Sequence, residues 1–368
     1  MGALVLARPM YERLRTAHPN ASTYVLCFSQ NRKGLDLLDE VPADHVIEVR
    51  NRSMAQLLGD SLRALRKIRA LAIDVVIDAE LFARASAVYA GLSGAPVRVG
   101  FHRHTQEGLY RGDFINRPVL YNPYRHIARQ FVTLADAIGS TSVPKVKAID
   151  EGTPLRLQPM TFRSGEVDRA RQLLEGRGPD VTGKRIVFLC PGAGLLPIRA
   201  WPLANYCQIA RHLVESGFGV AVVGLAEDRA LAREILTVCA SPACVDLTGA
   251  TATVRDLVAL FTLGALLITN DGGAGHFAGL APIPAIVLYG PETPVLYGSL
   301  GPQVVNLHKP LACSPCLTAY NHRSSPCDGD NVCLKSISPA EVLEHAYGLL
   351  GVTPGCGIAE SPEPRQSR

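Results

Sequence analysis

No stretch of this chain approaches the roughly 18–20 consecutive apolar residues of a membrane-spanning helix, so the sequence offers no such span. The first residues also lack the basic, apolar and small-residue succession of a secretory signal. Charge of one sign is scarce: 37 Lys and Arg stand against 33 Asp and Glu, a formal net charge of +4. That is far from the balance of a nucleic-acid-binding protein, and no nucleic-acid partner is expected. It suits an anionic substrate or a membrane surface equally well. There is no long low-complexity tract, and 47% hydrophobic with 19% charged residues is a globular composition. The glycine-rich loops contain neither the GxGxxG spacing of dinucleotide-binding folds nor the GxxxxGK[ST] of P-loops, which disfavours a nicotinamide enzyme or an ATPase.

What is present begins with ten cysteines. Without an export signal they point to a reducing cytosol, where thiols stay free or bind metal. A length of 368 residues suggests two domains. Apolar runs that read as short buried strands alternate with helical stretches along both halves. In the first half they are STYVLCF at 22–28, HVIEV at 45–49, IDVVID at 73–78 and VRVGF at 97–101. In the second half they are RIVFLC at 185–190, GVAVVG at 219–224, CVDL at 244–247, ALLITN at 265–270 and AIVLYG at 285–290. This alternation predicts an α/β protein with two doubly wound parallel-sheet domains facing a cleft. The weakly patterned region from about 140 to 180 reads as the linker, and the polar, Pro-rich end of the 351–368 tail reads as disordered.

In doubly wound sheets, ligands bind beyond the carboxyl ends of the strands. Two loops of the second half lie there: PGAGLLPIRAWP at 191–202 and TNDGGAGHFAGL at 269–280. Both place glycines ahead of a helix, whose first turn presents free N–H groups and a partial positive charge. Arg199 adds a forked cation suited to a diphosphate. The glycines of both loops are therefore expected to let a diphosphate approach the backbone near Gly272 and Gly273. The plainer reading, tight turns alone, is weakened by the presence of two such loops together with Arg199, Asp271 and His276.

At these residues the sequence resembles family 9 of the glycosyltransferases, the bacterial heptosyltransferases. The matching pieces are PGAG followed by RAWP, VDLTGATATVRDLVAL, TNDGGAGHFAG, APIPAIVLYGPETPVLYGSLG and the closing ISPAEVL. The resemblance implies a GT-B fold, with Rossmann-like domains at 1–160 on the acceptor side and 161–350 on the nucleotide-sugar side. It implies an inverting, metal-independent transfer of a sugar, heptose above all, from a nucleotide diphosphate donor such as ADP-heptose. No cofactor is then required. The acceptor is a lipid-linked glycan such as the lipopolysaccharide core, reached from the cytoplasm with peripheral contact at the inner membrane. Gly192, Ala193, Gly194, Arg199, Asp271, Gly272, Gly273, Ala274 and His276 become the donor-binding residues. Arg199 stands where the family usually has Lys, and Gly272 replaces a Ser or Thr. Asp271 is expected near the sugar and His276 near the diphosphate. The family's base, an Asp in a Gly-Asp pair, is matched by Gly2-Ala3, which carries no carboxylate. A nucleotide-sugar-binding relative without turnover, or a nucleotide-sugar epimerase on the same fold, remains open.

Substitutes for the base would sit at carboxyl ends of first-half strands, and Asp78 and Glu80 do so; a capping role for Asp78 and a first-turn charge for Glu80 are the plainer readings. His102, Arg103 and His104, after VRVGF, suit an acidic acceptor or a solvated basic loop. Cys313, Cys316, Cys327 and Cys333 have a spacing open to structural free thiols, a structural zinc or iron site, or disulfides. Residues 2–17 read as a helix with Val5, Leu6, Met10, Leu14 and Ala17 along one face. A doubly wound domain begins with a strand, so the reading expects a strand ahead of this helix in the complete unit.

Overall fold

Val-, Ile- and Leu-rich runs become strands because branched side chains pack well on a pleated, buried surface. In the amino-terminal half they form β1 (Val25–Phe28), β2 (Val46–Val49), β3 (Val75–Asp78), β4 (Val97–His102) and β5 (Arg117–Leu120). The helices of that half are α1 (Gly2–Ala17), α2 (Arg32–Leu35), α3 (Met54–Ala70), α4 (Arg84–Leu92) and α5 (Ile127–Asp136). The carboxy-terminal half holds β6 (Ile186–Cys190), β7 (Gly219–Val222), β8 (Cys244–Asp246), β9 (Leu266–Asn270), β10 (Ala285–Tyr289) and β11 (Val304–His308). Its helices are α6 (Glu166–Arg177), α7 (Leu203–Glu215), α8 (Arg229–Cys239), α9 (Val254–Phe261) and α10 (Gly273–Ala278). Three more follow: α11 (Pro294–Tyr297), α12 (Val332–Lys335) and α13 (Pro339–Leu350). This is a computed structural model, and it describes residues 2–38, 41–81, 83–102, 113–147, 155, 157–178, 180–194, 196–318 and 324–352.

The carboxy-terminal strands form one parallel sheet in the order β11-β10-β9-β6-β7-β8. Alternate residues of β6 serve opposite cores. Val187 and Leu189 join Trp201, Tyr206 and Leu213, whereas Ile186 and Phe188 join Leu174, Phe261 and Phe277. Strand order reverses between β6 and β9, which opens a crevice at their carboxyl ends.

The amino-terminal strands form two separate parallel sheets, β1-β2 and β3-β4-β5. Helix α1 packs on both. Leu6, Ala7 and Met10 share a core with Val99, Phe101 and Val119, while Leu4 and Tyr11 border the cluster of Leu35 and Leu38 with Val25 and Val46. Val5 enters the carboxy-terminal core beside Leu37. Ala17, expected on the buried face, is exposed. The region expected as a linker contains α6, whose Ala170 and Leu174 belong to the carboxy-terminal core.

Three side chains tie the halves together through carbonyls. Arg8 Nη1 donates to Gln158 O at 3.0 Å, and Arg255 Nη1 donates to Asp36 O at 3.0 Å. Arg255 is itself buried against the Glu166 carboxylate, at 3.0 and 2.9 Å. The third is His126, which N-caps α5 by accepting from Ala128 N at its Nδ1. Its proton must therefore lie on Nε2, which donates to Gly298 O at 2.9 Å.

Burial lowers the pKa of His126 below its ordinary 6.5, partly offset by the Gly298 bond. The folded pKa lies below the unfolded one, so the neutral ring's contribution is intact above the unfolded value. It erodes as pH falls from about 6.5 through the depressed folded value. Chemical unfolding followed from pH 7.5 to 5 should show stability declining on acidification, with a shallower decline in His126→Asn. That variant should also lose about 1 kcal/mol at pH 7.5. Equal pH slopes in the two proteins would contradict this role.

Candidate functional site

Strands β6 and β9 are neighbours, so the loops that follow them emerge side by side. The last residue of β9, Asn270, joins them. It is 1% exposed, and its Nδ2 donates to Pro191 O at 2.7 Å. Its Oδ1 accepts from Trp201 N at 3.0 Å and from the Tyr206 hydroxyl at 3.1 Å. One amide thus holds the loop after β6 and the entry to α7. Trp201 meets Tyr206 edge-on and donates through Nε1 to Ile337 O at 2.9 Å. Sequence reasoning passed over Asn270, although a carboxamide closing a mainly apolar strand is itself a signal that something polar must meet it.

Arg199 closes a short 3₁₀ turn, Pro197–Arg199, and points inward. Its Nε lies 3.3 Å from Asp271 Oδ2, and its Nη2 bonds Glu292 Oε2. The three side chains are only 12%, 4% and 2% exposed, in that order. Asp271 follows β9, with its N–H donating to Leu288 O, and Glu292 follows β10. Buried charge is tolerated because it is paired. These three groups nevertheless carry one more negative than positive charge, and the field reaches Tyr289. Burial pushes the Tyr289 phenol pKa far up, and the charges of Asp271 and Glu292 push in the same direction. Glu292 was missed at the sequence level; the signal was an acid in the loop just beyond a buried strand, three residues after β10 where Asp271 is one residue after β9.

His276 lies on α10, 7% exposed, with Nδ1 3.4 Å from Ser299 Oγ. The other half reaches it here: a Cβ on Gly2 would stand 2.6 Å from His276 Cδ2. Ala3, next in the same first turn of α1, is exposed.

The glycines also have close neighbours within the protein. A Cβ on Gly192 would meet the Asp228 carboxylate at 2.6 Å, one on Gly275 would meet Val287 and Ser299 at 3.0 Å, and one on Gly273 would meet the Phe277 ring at 3.1 Å. At all three a side chain would press on a neighbouring one, so the protein's own packing also favours the small residue. Gly272 is different: its backbone is extended, and a Cβ would meet only Asn270 O at 3.8 Å. Gly194 holds a left-handed φ of +57°, so it serves a turn. Ala193 and Ala274 are half-buried beside these glycines.

Asp78 is buried, and its Oδ1 and Oδ2 accept from Glu80 N and the Ser86 hydroxyl, each at 3.1 Å. It thereby organises the turn after β3. The helix that follows, α4, takes its N-cap from Ala83 rather than from Asp78. Glu80 is exposed and His102 half-buried at the end of β4. Arg103 and His104 lie outside the described residues, as does Cys356.

The thiols do not assemble into a metal site. Cys316 Sγ accepts from Ser325 Oγ at 3.1 Å, Cys327 faces Asp328 and Asn331, and Cys333 is buried, which raises its pKa. Among the described residues no group of three or more His, Cys, Asp or Glu could hold a metal ion. The structural zinc considered for Cys313, Cys316, Cys327 and Cys333 does not fit this arrangement, and all four are free thiols.

The sequence pattern of glycosyltransferase family 9 (heptosyltransferase) matches residues 61–324. Lipopolysaccharide heptosyltransferase 2 of Salmonella typhimurium is 25% identical over 365 residues, which is 95% of this chain and 96% of the relative. The solved structure of the Escherichia coli ADP-heptose lipopolysaccharide heptosyltransferase II matches with a TM-score of 0.71 at 21% identity, covering 95% of each chain. A family 9 glycosyl transferase from Veillonella parvula matches at 0.74 and 18% identity, covering 95% of this chain and 94% of its own. These likenesses carry the fold, which is GT-B.

Asn270→Leu keeps the branched shape but removes the hydrogen bonds of the amide, taking this partner from Pro191 O, Trp201 N–H and the Tyr206 hydroxyl. Urea unfolding should show a loss of about 2–4 kcal/mol. A loss within experimental error would mean that the amide does not hold the two loops together.

Proposed function

The chain belongs to glycosyltransferase family 9, the heptosyltransferase family, and on that premise we propose that it moves a heptose from ADP-heptose to a lipopolysaccharide-core acceptor. The observation that carries this reading is Arg199, buried with Asp271 at the carboxyl edge where strand order reverses. That is where a doubly wound sheet receives a nucleotide, and a guanidinium is the donor group that a diphosphate needs there.

In the proposed reaction an acceptor hydroxyl attacks the anomeric carbon from the face opposite ADP. The new C–O bond forms as the bond to the diphosphate breaks, so the configuration inverts. Charge grows on the departing diphosphate, and Arg199 stabilises it by exchanging a carboxylate partner for phosphate oxygens. Such an exchange is favoured because Arg199 faces two carboxylates, and one remains after the swap. His276, at the contact between the halves, is placed to hydrogen-bond the diphosphate, and Asp271 to orient the sugar. This reading gives the charge stabilisation to Arg199 and calls for no metal. The hydroxyl proton goes to a carboxylate of the acceptor half, with Glu80 and Asp78 as the two candidates at the carboxyl end of β3.

One observation favours a second reading. Ala3, at the position where the family resemblance puts the base, has no carboxylate. A nucleotide-sugar-binding protein without transfer would retain Arg199, Asp271 and His276 and dispense with the base.

Calorimetry with a panel of nucleotide sugars, followed by mass analysis of a core acceptor, separates the two. ADP-heptose binding with a heptose added to the acceptor supports transfer, and binding without added mass supports the second reading. No preference for ADP-heptose would end the donor assignment. Arg199→Ala should weaken donor binding by about 2–5 kcal/mol. Glu292→Gln should tighten it about tenfold, since it removes a negative charge and a competitor for Arg199. If Glu292→Gln binds more weakly, Glu292 positions Arg199 rather than competing with the donor.

A further inference from the structure

Helix α3 has a packed face and an unpartnered one. On the packed face, Ala64 and Ile68 share a small core with Ile47 and Val49, and buried Asp60 pairs with Arg50 and Arg63. The other face carries Met54, Leu58 and Leu62, which are 70%, 65% and 50% exposed. Four-residue spacing aligns them into one apolar stripe. Helix α4 lies alongside, since Ser61 Oγ bonds the Tyr89 hydroxyl and Arg69 Nε donates to Leu92 O. It adds Val88 and Leu92, also four apart and 42% and 43% exposed.

Basic side chains surround this surface: Arg52, Arg63, Arg66, Lys67, Arg69 and, on α4, Arg84 are all exposed. Between residues 50 and 70 there are six basic residues and one acid, and that acid is the buried Asp60. An apolar stripe flanked by Lys and Arg is the pattern of a helix that lies in a membrane interface, its apolar residues among the acyl chains and its cations at the headgroups. A second copy of the chain fits poorly, because a symmetric contact through α3 would oppose one basic field with another. No described helix is long and apolar enough to cross a membrane.

We propose that α3 and α4 form a docking surface for an anionic lipid bilayer. Met54 begins α3 just after β2 ends, so the stripe starts at the carboxyl edge of the β1-β2 sheet in the acceptor half. Docking this way brings the acceptor half's edge to the lipid surface, where a lipid-linked glycan would be presented. The surface is independent of the donor assignment, because none of its residues belongs to the Arg199 cluster.

The test is flotation of the full chain with vesicles of phosphatidylcholine alone or mixed with phosphatidylglycerol. Partition into the mixed vesicles should exceed that into the neutral ones by about tenfold and should fall by a similar factor in high salt. Leu58→Glu with Leu62→Glu, and separately Arg66→Glu with Arg84→Glu, should each lower partition about tenfold. Both pairs lie on the surface and should keep the wild-type melting temperature, which shows that the loss is not unfolding. The proposal is overturned if the wild type ignores anionic vesicles, binds neutral ones equally, or is unaffected by both pairs. A concentration-dependent dimer in sedimentation velocity, dissolved by Leu58→Glu with Leu62→Glu and unaccompanied by vesicle binding, would assign the surface to a second copy instead.

Discussion

A guanidinium held out of water between two carboxylates sets the arrangement of the molecule's central edge. Burying one ion alone costs several kcal/mol, so Arg199 stays inside only while an anionic partner stays with it, here Asp271 and Glu292. Each of the three follows a different strand: Arg199 after β6, Asp271 after β9 and Glu292 after β10. Pairing them fixes three loops relative to one another, and the Asn270 amide fixes two of these again through the backbone. The sheet order makes this possible, since β6, β9 and β10 are consecutive neighbours.

The same edge gathers contributions from the other half through a contact with no charge in it. Gly2 sits so close to His276 that a methyl group would not fit. Helix α1 also packs on both amino-terminal sheets, so whatever shifts α1 is felt at both sheets and at the histidine. The halves differ in how they are built. Strands β9 and β10 are buried at every residue, whereas β1 is half-buried throughout. One continuous six-stranded sheet frames the side that holds Arg199, and two separate sheets frame the side facing it.

The fold was legible where burial is complete. Strands covered on both faces read as unbroken apolar runs, which is why β6, β9 and β10 stand out in the sequence. Strands β5 and β11 do not. Each lies at the edge of its sheet, β5 carries Pro118 and exposed Leu120, and β11 mixes Asn306 and His308 with its apolar residues. Helix α6 hid in the expected linker because Ala170 and Leu174 are its only apolar residues fully in the core, among many charged ones. In the site, Arg199, Asp271 and His276 were legible from their positions after strands. The glycines drew attention for the ligand they could admit, and the structure adds neighbours within the protein, which sequence cannot display. Asp228 at Gly192 and Phe277 at Gly273 are such neighbours.

Three of the bonds that bridge the halves share one asymmetry. Arg8, His126 and Arg255 each donate from a side chain, and each bond ends on a main-chain carbonyl, at Gln158, Gly298 and Asp36. A carbonyl is supplied by any amino acid, so the accepting positions are free to drift over evolutionary time without breaking the bridge. The donors are not. Relatives of this protein should therefore keep these three side chains without any matching covariation opposite them, and a search for co-evolving pairs would overlook these three bonds.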